Sequence, residues 1–322
     1  MKKSMFVAVI AAIVLPFAAF AQTDWPNKPV SLVVPYPPGG LNDAVARVYA
    51  ERLTAILGKS VLVDNKAGAA TTVASNYVAK AAPDGYTIYG GGTSLIINPT
   101  LQGNVQYDPH KSFELVSLMS FTPFILHVNA DFPVKTMAEL IAHLKANPGK
   151  FNMATSGIGA TNHMAAEMFR ARGGFDYQIV PYRGGAPAGQ DLAAGNAQMM
   201  FSASLEAVPW LQSGKTRAIA ISTLKRSPSF PDIATVAELT DMKDFDVVFW
   251  QGMVVPAGTP KPIIDKLQAA IAKVAAEPEM IERFKKQGVE IRSSTPDEFR
   301  AWYLLEEKRW TTLIKEKGLK AE

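Results

Sequence analysis

"VVPYPPGGLND", Val33 to Asp43, is the stretch on which the reading of the fold turns. An apolar run from Val30 to Val34 gives way, across two prolines and two glycines, to residues whose apolar members Val45, Val48, Tyr49, Leu53 and Ile56 recur at helical spacing. The spacing predicts a strand over Val30–Val34 and a helix over Asn42–Leu57, capped by Asn42 or Asp43 and ended by Gly58. A strand feeding a helix through a glycine loop begins a βαβ unit. It leaves open whether that loop is only a tight turn or also a cradle for a ligand.

Working outward, strand Val61–Val63, helix Thr72–Ala82 and strand Thr87–Tyr89 complete a first βαβαβ array, with Pro83-Asp84-Gly85 and Gly90-Gly91-Gly92 read as punctuation. A second array starts near Phe124–Val128. It continues through helix Met137–Asn147, strand Asn152–Thr155, helix Thr161–Arg172, strand Gln178–Val180, helix Ala188–Ala194, and strands Met199–Phe201 and Ala218–Ser222. Val247–Val255 reads as a further strand, "PAGTPKP" opens a helix to Ala276, and an amphipathic helix spans Pro296–Lys317. The class is α/β, in two lobes, each a mixed, mostly parallel sheet flanked by helices. The C-terminal helices have no third array to cover and are expected to dock on the first lobe. That divides the chain into residues 22–122 plus 248–322 and residues 123–247, with two chain crossings and a ligand cleft between them.

The chain has 322 residues, 48% hydrophobic, and no cysteine, which excludes disulfides, thiol catalysis and a lipid anchor on cysteine. Lys2 and Lys3, an apolar run and Ala19-Phe20-Ala21 predict a secretory leader over residues 1–21. The run is short for a membrane span and is broken by Pro16. Its removal lowers the net charge from +4 to +2. The remaining basic residues are scattered, which argues against a nucleic-acid partner. An exported, freely diffusing monomer is expected.

Three glycine loops precede three helices: Pro38-Gly39-Gly40 before Asn42 and Asp43, "TSGIGATNH" (Thr155–His163), and "YRGGAPA" (Tyr182–Ala188). Helix starts bare unpaired N–H donors and the positive end of the macrodipole, and glycine lets a ligand approach the backbone. The same glycines also serve plain packing turns. Asp43 reads as a cap or a partner of Arg47. Arg183 is either a partner for a second carboxylate or a surface arginine. His163, in a first turn, is expected neutral. Tyr36, Tyr182 and Trp250 wall a pocket or fill the core.

Four dispersed histidines show no metal-site spacing, so no metal is expected. The nucleophile elbow, the full dinucleotide fingerprint and the Walker lysine are missing, so no cofactor is expected.

The segments "WPNKPVSLVVPYPPGGLNDAVAR", "NKAGA", "DGYT", "YRGGAPAGQDLAAG", "KRSPSFPDIATVAE" and "VVPAGTPKPIIDKL" together resemble the substrate-binding receptors of tripartite tricarboxylate transporters, the Bordetella uptake gene family. The resemblance implies a periplasmic, non-catalytic Venus-flytrap receptor of the type II class. Such a receptor closes on a dicarboxylate or aromatic carboxylate and hands it to integral membrane components. Position by position it implies ligand contacts at Pro38, Gly39, Gly40, Asn42 and Asp43, at Thr93 and Ser94, at Ser156, Gly157, Gly159, Ala160, Thr161 and His163, and at Tyr182, Gly184 and Gly185. Ser202 and Gln251 depart from the family pattern and, with Arg183, are candidates for choosing among ligands. Two alternatives stand beside this reading: a sensory receptor serving a signalling partner, and an exported hydrolase using Ser156 with His163.

Overall fold

The computed structural model describes residues 24–320; the expected leader at residues 1–21 lies outside them. The chain opens with β1 (Val30–Val34), α1 (Leu41–Leu57), β2 (Val61–Asn65), α2 (Thr72–Ala79) and β3 (Thr87–Gly92). β1 pairs in parallel with both neighbours, Leu32 opposite Val63 on one side and Ile88 on the other. α1 forms because Val45, Val48, Tyr49, Leu53 and Leu57 make one buried stripe, each side chain contributing about 1.5–3 kcal/mol of apolar burial. Gly58 ends it in the left-handed region at φ 69°, its N–H donating to the Thr54 carbonyl at 3.0 Å.

α3 (Ser94–Gln102) follows, then β4 (Phe113–Asn129), α4 (Met137–Ala146), β5 (Asn152–Thr155), α5 (Thr161–Gly173), β6 (Gln178–Pro181), α6 (Gly185–Ala193), β7 (Met199–Ala203), α7 (Ser204–Gln212), β8 (Thr216–Ile221) and α8 (Val236–Leu239). The chain then returns through β9 (Val248–Pro256), α9 (Lys261–Ala275), α10 (Pro278–Lys285), β10 (Glu290–Ile291) and α11 (Pro296–Lys317). α9 packs on α1 and β4, and α11 on α3 and β4.

The strand order is β2-β1-β3-β9-β4-β7-β5-β6, with β8 and β10 also on β4. β4 is the strand that joins the two lobes. Over Phe113–Pro123 it runs antiparallel to β9, and from Phe124 onward it pairs with β7 and β8. Register shifts after Leu115, Leu118 and Leu126 bend it on the way, as bulges do.

Several expectations are corrected. The strand expected near Phe124–Val128 begins earlier, at Phe113, and runs unbroken to Asn129 as β4. Gly90–Gly92 are strand, not turn. They pair with Gln251–Met253 of β9, and a Cβ on Gly92 would stand 2.0 Å from the Trp250 carbonyl oxygen. Glycine is there because another backbone passes too close for a side chain. α6 starts at Gly185, three residues before the expected Ala188, because Gly184 serves as its N-cap. α3, α7, α8 and α10 were not anticipated. α3 and α7 carry Pro99 and Pro209 inside. The Leu95 carbonyl, which proline at position 99 cannot satisfy, accepts the Tyr107 hydroxyl at 3.0 Å.

Candidate ligand-binding site

The three glycine loops meet. Tyr36, Pro37, Pro38, Gly40, Leu41 and Asn42 from one lobe face Ser156, Ala160, Thr161, Asn162, the Arg183–Pro187 turn, Ala203 and Glu206 from the other. Phe124 and Phe249, on the two crossing strands, form the base, their rings edge to face at 6.4 Å. The inner cavity measures about 60 Å³ and adjoins an outer one of about 630 Å³ lined also by Ala67–Thr71, Gln102, Gly157, Ile158 and Tyr182.

α1, α5 and α6 all begin at this cavity, and none has a side-chain cap. The first N–H groups of α5 and α6 are therefore open to an anion, whereas the first of α1, on Leu41, is accepted by Glu206. The helix capped in expectation by Asn42 or Asp43 instead has Gly40 at its N-cap. Asp43 turns back, accepting the Gly39 N–H at 3.0 Å and Arg47 Nε at 2.8 Å. Burial pushes its carboxyl up, but Arg47, the Gly39 N–H and Asn65 together hold it below the ordinary value. Gly39, at φ 94°, is off the cavity wall and its N–H is taken.

Two side chains on the wall are buried without a partner. Asn42 is 4% exposed with both amide atoms unpaired, and Thr161 is 1% exposed with its hydroxyl unpaired. Buried polar groups are paired as a rule, so an orphaned pair in one cavity marks a place for a ligand or water. Asn162 is satisfied: it accepts the Ser156 N–H at 3.1 Å and donates to Ser156 Oγ and the Phe201 carbonyl, fixing the second loop. Ser94 Oγ donates to the Gly159 carbonyl at 3.0 Å across the lobes. With its one proton used, it receives the Tyr36 hydroxyl at 3.1 Å. Burial pushes Tyr36 up to about 12, so it stays protonated.

The remaining expected residues divide between the cavity walls and the structure behind them. Thr93 is buried behind the wall. His163 accepts the Gly159 N–H on Nδ1 at 3.4 Å, and burial lowers it to about 4, with Arg170 adding to the effect. Ser156 Oγ bonds Asn162 instead of His163, so the hydrolase pair is not assembled. Tyr182 lines the outer cavity and donates to Asp191 at 2.7 Å. Arg183 is exposed and lines both cavities.

Ser202, Trp250 and Gln251 line neither cavity. Ser202 bonds His127 Nε2 at 2.7 Å, and burial lowers His127 to about 3. Gln251 bonds Ser120 and the Asn42 carbonyl, and the Trp250 ring packs on Phe299.

The sequence reading missed Leu41, Phe124, Asn162, Ala203, Phe249 and above all Glu206. Its Oε1 accepts the Leu41 N–H across the lobes at 3.0 Å. Desolvation raises its carboxyl above the ordinary value, partly opposed by that N–H. One signal was present: Glu206 is the only charged residue between Asp191 and Lys215.

A two-lobed α/β fold with unpaired donors facing each other across the interlobe cleft defines the class of periplasmic binding proteins. The chain belongs, within that class, to the tripartite tricarboxylate transporter family receptors, whose family model matches residues 45–319. This is a family of solute-binding receptors, not of enzymes. Protein BugT of Bordetella pertussis is 33% identical, over 98% of this chain and 96% of its own. The solved structure of the periplasmic binding protein BugD superposes with a TM-score of 0.88 at 36% identity, covering 92% of this chain and all of that one. A Rhodopseudomonas palustris protein solved with adipate gives a TM-score of 0.89 at 30% identity, covering 92% of this chain and 99% of that one.

Proposed function

We propose that this receptor acts in the periplasm, closing its lobes on a small carboxylate and presenting it to the integral membrane components of a tripartite transporter. The division into residues 22–122 plus 248–322 and residues 123–247 belongs to the same proposal. The observation that carries it is the meeting of three uncapped helix starts with the unpaired Asn42 amide and Thr161 hydroxyl in one cavity. Adipate in a relative of the same fold supports the ligand class. The ligand's head enters the inner cavity and its body the outer one, whose volume is that of ordinary ligand pockets. Differential affinity for the closed state drives closure.

Calorimetric titration with mono-, di-, amino- and aromatic carboxylates tests this. Thr161→Val should weaken the best ligand about tenfold to hundredfold while leaving the melting temperature unchanged, since it removes an unpaired hydroxyl. Absence of binding by every carboxylate would overturn the proposal.

A further inference from the structure

Glu206 is an unexpected side chain for an anion site. Its carboxylate lies between the starts of α1 and α6, one from each lobe. A Cβ on Gly185 would stand 2.2 Å from Oε2 and 2.5 Å from Oε1, and one on Gly40 would stand 3.1 Å from Oε1. Gly185 and Gly40 thus make room for this carboxylate. An ionised carboxylate offers about four acceptor positions, and Leu41 N–H is its one donor among the described residues. The other charged residue on the inner wall, Arg183, forms no ion pair with it.

A ligand carboxylate placed against Glu206 would meet a like charge and find the Leu41 N–H already taken. The Thr161 hydroxyl, the Asn42 amide and the starts of α5 and α6 remain for that anion. Glu206 itself needs a donor that the protein does not bring. The inner cavity, at about 60 Å³, holds only a head group. A head that carries a cation and an anion a bond or two apart answers both demands.

We infer that Glu206 makes this cleft selective for an amino carboxylate, its ammonium group bonded to Glu206 and its carboxylate to Thr161, Asn42 and the α5 and α6 starts. The inference rests on the carboxylate reading above and narrows it.

The test titrates the protein with matched pairs: each of the twenty standard amino acids against the same acid lacking its amino group, with adipate and benzoate alongside. We expect at least one amino acid to bind and its deaminated partner to bind at least about tenfold more weakly, the usual worth of a charge-assisted hydrogen bond. Glu206→Gln keeps an acceptor for Leu41 N–H but removes the charge, and should bring the two affinities together. Acids without an amine binding wild type as tightly as their amine-bearing partners would overturn the inference and leave the carboxylate receptor standing. A preference that survives in Glu206→Gln would overturn it as well. Failure of every compound, with or without an amine, would instead remove the carboxylate reading itself. The wild-type pairs decide the matter even if the variant does not fold.

Discussion

The three helices whose glycine loops meet at the cleft start without the side-chain caps that three helices beginning elsewhere carry, although α9 and α10, away from the cleft, start without one too. α4 and α11 carry full capping boxes. Thr136 accepts the Glu139 N–H and Thr295 the Glu298 N–H, while each glutamate reaches back to the threonine N–H. α8 is capped by Thr235, which accepts the Glu238 N–H at 2.9 Å. α1, α5 and α6 have Gly40, Ala160 and Gly184 in the same role, none with a side-chain bond. A cap contributes about 1 kcal/mol over alanine and a few tenths over glycine, so with Ala160 and two glycines in these places the cleft forgoes roughly 1–2 kcal/mol. The orphaned donors face the cavity, where an anion can take up what the caps would have supplied. Stability withheld from the free protein becomes binding energy and favours the closed form when ligand arrives.

The strongest way to break this contrast is to cap a cleft helix. Ala160 is extended at φ −71° and ψ 154°, the backbone of an N-cap residue. Ala160→Asp should therefore raise stability by about 0.5–2 kcal/mol in urea unfolding. It also sets a carboxylate among the ligand's donors, and like charges about 4 Å apart in a partly screened site repel by about 4 kcal/mol. Affinity should fall about a hundredfold or more by calorimetry. A more stable variant that binds normally would show that the α5 start does not touch the ligand.

Uncapping an outer helix should do the reverse. Thr295→Ala removes the hydroxyl half of the α11 box, the Glu298 N–H bond to Thr295 Oγ1, while the Thr295 backbone N–H can still donate to Glu298. Urea unfolding should show a loss of about 1 kcal/mol, with ligand affinity within about twofold of wild type. A matching loss of affinity would mean that α11, which packs on α3 and β4, transmits to the cleft.

The same contrast explains what was legible in the sequence. α1 and α11 declare themselves through local spacing, because each buries a stripe of recurring apolar residues. Gly92 does not, because its reason lies in the Trp250 carbonyl, far along the chain. α3 and α7 hide behind internal prolines, and in α3 the carbonyl freed by Pro99 is met from outside the helix, by the Tyr107 hydroxyl on Leu95. At the site, the glycine loops were visible as backbone donors. The unpaired state of Thr161 and Asn42 was not, because satisfaction is a property of neighbours. Glu206 escaped because α7 itself was not legible and because the Glu206 carboxylate lies at the starts of α1 and α6, whose nearness is set by the tertiary fold.

The smallest effect should come from proton uptake at that glutamate. Desolvation raises its folded pKa above the ordinary 4.5, with Leu41 N–H opposing. A carboxyl raised in the folded state binds more protons there than in the unfolded chain. Stability of the free protein must therefore fall as pH rises from about 4.5 through the raised value, and this part must vanish in Glu206→Gln. Glu306 is also raised by burial, so the wild-type minus variant difference is the quantity to read. Tyr36, pushed up to about 12, stays neutral across that window. An ammonium group on Glu206 reverses the dependence, because the ligand then favours the ionised carboxylate. Affinity for an amino carboxylate should rise with pH over the same interval in which the free protein weakens. Affinity that instead falls with pH there would mean that the ligand meets Glu206 as an acid, and would return the cleft to ligands without an amine.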